Sequence, residues 1–165
     1  METIFDEIEG CLAAGLYYAA VSIALTIPDL CAALRHPVGH VKGSNKAGYQ
    51  KWWSENLAHQ YPELTLSDVY SLRSGITHNG RFGGGSFSRV IFTPISRIVT
   101  HRNTVNDALN LDAATFCGDI VAAAVKWFER PDVQADKNVA RNMVRIVQYH
   151  PNGFLPYIDG IPVVA

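Results

Sequence analysis

Apolar residues open the chain at helical spacing. Ile4, Ile8, Leu12, Leu16 and Ala20 recur every four positions, and Phe5, Ala19 and Ile23 widen the stripe. The pattern runs on through Ile27, where Pro28 either kinks it or starts a new helix carrying Leu30 and Leu34. Thr3 with Asp6 or Glu7 reads as a capping arrangement at its start. The small residues Ala13, Ala14, Gly15, Ala19 and Ala20 would let another helix approach closely. After a Pro/Gly/Ser loop from His36 to Asn45, Tyr49, Trp52, Trp53 and Leu57 give a second helix an aromatic face. Thr65 or Ser67 can cap a third helix, which carries Val69, Leu72, Arg73 and Ile76.

Beyond His78 the period changes. Arg81-Phe82-Gly83-Gly84-Gly85 reads as a flexible turn, and Phe87 to Phe92 alternates as a short strand does. Pro94 breaks that strand, and Arg97 to His101 is the expected return of a hairpin spanning about 86–102. Asp112 can cap a helix with Phe116, Ile120, Val121, Ala124 and Phe128 on its apolar face. Pro131 separates it from a last helix with Val139, Met143, Ile146 and Val147. The tail from Pro151 to Ala165 is expected to lie against the bundle as ordered coil. The predicted fold is therefore mainly α, one domain built as a bundle of about five helices with a small inserted β-hairpin.

Composition agrees with one globular domain. A chain of 165 residues, 48% hydrophobic and 18% charged, can bury about 70% of its unfolded surface. The uncharged run from Cys11 to Pro28 is interrupted by Gly15, Ser22 and Thr26, so a buried central helix is favoured over a membrane span. Cys11, Cys31 and Cys117 lack CxxC spacing and sit among apolar residues, which points to buried free thiols in a reducing compartment. The acidic start lacks the cationic opening of a signal peptide, and the expected location is cytoplasmic.

Net charge is −1, but the charge is unevenly placed. No acid occurs between Asp68 and Asp107, while that span holds Arg73, Arg81, Arg89, Arg97 and Arg102 with His78 and His101. Such a segment can attract a polyanion locally. Arg73 shares a helical face with Val69 and Ile76, so its guanidinium needs an acid, a cleft or an anion. His78 lies five steps on, rotated by roughly 140° on a rigid helix. Gly75 and Asn79-Gly80 suggest that the helix loosens or ends there, freeing His78 to swing back toward Arg73.

Arg73-x-x-x-x-His78, late in a helix of an all-helical bundle, resembles the Arg-x(4–6)-His signature of the HEPN superfamily (higher eukaryote and prokaryote nucleotide-binding domains). Leu16-Tyr17-Tyr18-Ala19-Ala20 is similar to the first helix of such domains. The resemblance implies a homodimer with two Arg-His pairs facing one cleft. It also implies a metal-independent endoribonuclease of toxin–antitoxin or anti-phage type. Arg73 and His78 would be catalytic, with Ser74 and Asn79 supporting; Ser74 stands where the family often has Asn, Asp or His.

The chemistry fits those residue types. Histidine can move the protons to and from the 2′-hydroxyl and the leaving oxygen, and arginine can hold the phosphorane's charge without titrating. Arg81, Arg89, Arg97, His101 and Arg102 are the residues expected along an RNA path, or equally on solvated hairpin positions. The alternative function is a non-catalytic module that binds a nucleotide, an RNA or a protein partner such as an antitoxin. In a structural alternative, Arg73 pairs with Asp68 or an acid on another helix. No cofactor is expected. His36-x-x-x-His40 has metal-like spacing, but Pro37 and Gly39 keep a helix from aligning the pair. Gly83 to Gly85 lacks the Lys-Ser/Thr of a phosphate loop, and Trp52 and Trp53 read as core.

Overall fold

The computed structural model describes residues 1–37, 46–82, 85–94 and 101–165, and these are mainly α. The expected long first helix is divided into α1 (Glu2–Ala13), α2 (Tyr17–Ala24) and α3 (Ile27–Leu34). Gly15 takes φ +74° at the first break, a left-handed turn that glycine adopts without a steric penalty. Pro28 occupies the first turn of α3 and starts a new helix, one of the two outcomes open to it. Thr3 does not cap α1. Met1 holds that position, and the Thr3 hydroxyl accepts a hydrogen bond from the Tyr149 amide at 3.3 Å.

The segment Tyr17–Leu34 is long and apolar enough to cross a membrane by length and composition alone. Here it is a bent pair of helices whose Ala20, Val21, Ala24, Leu25, Ile27 and Cys31 are fully buried against the rest of the chain. Packing buries 44% of the segment. The central helix, however, is α6 (Ala113–Glu129). Its Phe116, Cys117, Ile120 and Ala124 have no exposed surface, and it touches α1, α2, α3 and α4 (Lys46–Asn56). Asp112 caps it by accepting from the Thr115 amide at 2.7 Å, as expected. α5 (Leu66–Asn79) carries a capping box between Thr65 and Asp68. α7 (Pro131–Gln134) and α8 (Lys137–Met143) close the helical part, so the described residues hold more than the expected five helices.

Of the hairpin expected over about 86–102, the return at 97–100 lies outside the described residues; among the described residues the first strand pairs with a later one. β1 (Arg89–Thr93) runs parallel to β3 (Ala108–Asp112), and β2 (Asn103–Val105) pairs antiparallel with β3, in the order β1-β3-β2. The tight turn is Asn106-Asp107, both at positive φ (48° and 61°), the conformation a two-residue hairpin loop requires. Val90, Leu109 and Leu111 point inward and seat the sheet on α6, while Arg89, Ile91, Ala108 and Asn110 form its outer face.

The tail is more regular than coil, and it does not bury its apolar residues. β4 (Tyr149–His150) pairs with β7 (Val163–Val164), and β5 (Gly153–Phe154) with β6 (Ile158–Asp159). Leu155, Tyr157, Ile161 and Val164 remain exposed.

Candidate functional site

α5 runs unbroken through His78 to Asn79, so Arg73 and His78 stay on different sides of one helix. The helix does not loosen at Gly75. It ends, as Asn79-Gly80 suggested, at Gly80 in the αL conformation, and the Arg81 amide bonds the Gly75 carbonyl at 3.2 Å. This end comes after His78 and does not bring it back to Arg73. Arg73 Nε donates to Asp29 Oδ2 at 2.5 Å, and the two side chains are only 15% and 14% exposed. This is the acid on another helix of the structural alternative. Asp68 is engaged elsewhere. Ser74 is half-buried, and His78 and Asn79 are exposed.

The cationic segment is sorted by the fold into two groups. Arg102 makes a bidentate pair with Glu63 (2.8 and 3.0 Å) and lies over the Tyr61 ring. His101 Nδ1 accepts the Asp112 amide at 3.1 Å, and its ring meets Tyr61 edge-on. Both residues thus brace the junction of sheet and bundle. Arg97, like Gly83, Gly84 and His40, lies outside the described residues. Arg81 and Arg89 are the two that reach a shared cavity.

That cavity is a groove of about 930 Å³ between the start of α2, the end of α5 and β1. Tyr17, Tyr18, Asn79, Arg81, Phe82 and Arg89 are among the residues lining it, and no carboxylate is. Among the described residues, neither Arg81 nor Arg89 has an acidic partner within ion-pair distance. Tyr18 is 55% exposed, yet its hydroxyl donates to the Ile76 carbonyl at 3.4 Å, which fixes the ring beside the groove. From there aromatic rings run inward, Tyr18 to Phe82 (6.0 Å), Phe82 to Phe92 (4.7 Å) and Phe92 to Phe116 (5.2 Å). The groove wall is therefore anchored in the core.

Asp68 holds the segment leading into β1. Its Oδ2 closes the capping box and its Oδ1 accepts the Ser86 amide at 2.7 Å. Burial pushes its carboxyl upward, but hydrogen bonds from the Thr65 hydroxyl and the Ser86 and Thr65 amides outweigh that and hold it below the ordinary carboxylate value. A Cβ on Gly85, at φ +126°, would stand 2.0 Å from Asp68 Oδ1. Only glycine fits there.

Two helix ends also meet the groove. α2 begins at Tyr17 without a side-chain cap, which presents its positive end, and α5 ends at Asn79, which presents a negative one. These are partial charges of about half a unit that oppose each other. The two guanidiniums decide the sign, and the groove favours an anion. Burial pushes the Cys117 thiol up to about 12 and Cys31 higher still, which holds both protonated, whereas Cys11, expected to be buried as well, is only partly so.

The pattern reading missed Tyr17 and Tyr18 as groove residues. Their signal was Gly15, a helix break just before a pair of adjacent tyrosines. It also missed Asp29, one residue after Pro28. Compared with known protein families, with curated proteins and with solved structures, the chain gives no match.

Proposed function

We propose that this protein is a nucleotide- or RNA-binding module of HEPN-like type, and that its ligand's phosphates sit between Arg81 and Arg89. The observation that carries the reading is the groove itself. Two guanidiniums from separate elements line it without a carboxylate, beside an exposed tyrosine and a carboxamide. Arginine supplies bidentate hydrogen bonds to phosphate, and an aromatic face accepts any base. The volume is at the upper end of the range for small-molecule sites and suits a nucleotide.

The test is binding of a fluorescent short RNA by anisotropy. Arg81→Ala and Arg89→Ala are each expected to weaken it by roughly tenfold, which is about 1.4 kcal/mol per charge-assisted contact. Undiminished binding in both variants, or none by the wild type, would overturn the reading.

A second reading, a metal-independent endoribonuclease, is favoured by one placement. His78 is exposed immediately before groove-lining Asn79. With Arg73 held by Asp29, the cation at hand for a phosphorane is Arg81, unless a homodimer rearranges the pair. Cleavage of labelled RNA in EDTA that is lost in His78→Ala and Arg81→Ala would establish this reading. Loss in Arg73→Met combined with Asp29→Leu, the pair replaced so that no buried carboxylate is orphaned, would instead favour the Arg73/His78 pair.

A further inference from the structure

The groove does not end at β1. A second concavity of about 480 Å³ lies on the outer face of the sheet, and Ser88, Arg89 and Ile91 line both. The register shows how it is built. Arg89 sits beside Ala108, which faces Val105, and Ile91 sits beside Asn110, which faces Asn103. Two cross-strand rows thus carry a cation, three aliphatic side chains and two carboxamides across three strands. Ala108 keeps the middle of the first row low, so the face is dished.

We propose that the two concavities form one track, and that the ligand is a single-stranded RNA of several nucleotides rather than a mononucleotide. The inference rests on the groove reading above and adds the length of the ligand and its course. Arg89 is the shared element, placed to hold a phosphate where the strand passes from groove to sheet. Asn110 Nδ2 donates to the Asn103 and Ala108 carbonyls (3.4 and 3.2 Å). Its own side-chain oxygen is left to accept from a base edge. Ile91 and Val105, 41% and 56% exposed, offer apolar contact to ribose and base. Stacking falls to Tyr18 at the groove end.

Among the described residues, no carboxylate lines either concavity. A chain carrying one negative charge per residue could therefore follow the lining without touching an acid, with exposed Asp107, between Asn106 and Ala108, at its margin. An acidic peptide meets the same condition, and its backbone amides could pair with the carboxamides too; the exposed Tyr18 ring, which a base can stack on, favours the nucleic acid. Site sizes on comparable surfaces begin at about four nucleotides.

The experiment compares uridine monophosphate with uridine oligonucleotides of increasing length, on the wild type, Arg81→Ala, Val105→Glu and Asn103→Ala. Affinity is expected to rise at least tenfold between the mononucleotide and an eight-nucleotide strand. Val105→Glu, which puts a carboxylate on the sheet face in the row of Arg89, should abolish most of that rise and lower mononucleotide affinity far less. Asn103→Ala, an exposed position, should reduce the rise severalfold and covers the case in which Val105→Glu fails to fold. Affinity that ignores length but still falls in Arg81→Ala would overturn the track and keep the groove. Binding that ignores Arg81 at every length would overturn the groove reading itself. Displacement of the eight-nucleotide strand by an equimolar glutamate-rich peptide would overturn the assignment to RNA.

Discussion

Arg73 shows how one contact changes a residue's reading. A guanidinium on a helical face otherwise lined by Val69 and Ile76 needs a partner, and Asp29 supplies it from α3. Asp29 Oδ1 is buried with no protein partner among the described residues, so the pair's remaining stabilisation depends on Arg73. Arg73→Ala is expected to cost roughly 3 kcal/mol, because it leaves a carboxylate unpaired and largely buried. Asp29→Leu with Arg73→Met should recover most of that loss in denaturant titrations. Gly85 is as constrained. Gly85→Ala combines a disfavoured φ with a collision against Asp68, and a loss of roughly 1–3 kcal/mol is expected in the same assay. Asp68 also predicts a pH dependence. Its folded-state pKa lies below that of the unfolded chain, so the stability it contributes is complete above the ordinary carboxylate pKa near 4. It is lost as pH falls through the depressed value. Thermal midpoints measured downward from pH 5 should therefore fall less steeply in Asp68→Asn than in the wild type.

At the scale of elements, the β2–β3 hairpin depends on two non-glycine residues in left-handed conformations, Asn106 and Asp107. Asn-Gly is the preferred pair for such a loop. Asp107→Gly should raise stability by on the order of 0.5–1 kcal/mol, read as a higher denaturation midpoint. The Ser88 amide and hydroxyl bond the Asp107 carbonyl, which the substitution keeps, so β1 should stay in register. The same pair closes a hairpin that was not among the expected elements. The alternation of Phe87 to Phe92 marked β1 correctly, but a parallel partner gives no local signal. The Asn106-Asp107 turn, followed by alternating Ala108-Leu109-Asn110-Leu111, was the informative stretch. α5 was readable because its signals are local. Thr65, Asp68 and Gly80 each act within one turn of a helix end.

For the whole molecule, a net charge of −1 predicts weak general attraction to nucleic acid, while the groove predicts a small and specific electrostatic contribution. If Arg81 and Arg89 each neutralise one phosphate of a single strand, the slope of log affinity against log salt should be near −1.4, about 0.7 for each. A slope several times steeper would mean that other cations engage. Local order in the chain determined the helical class, the cap at Asp112, and the burial of Trp52, Trp53 and Cys117, and it narrowed the cap of α5 to Thr65 or Ser67 and Pro28 to a kink or a new helix. It determined as well that cations gather without acids between Asp68 and Asp107. Each of these depends on residues within a few positions of one another. Tertiary structure alone decided which cations remain available. Asp29 claims Arg73 across 44 residues and Glu63 claims Arg102 across 39, whereas Arg81 and Arg89 are left facing Tyr17 and Tyr18. Those partners are set by how helices pack and strands register, and neither leaves a periodic trace in the order of the residues.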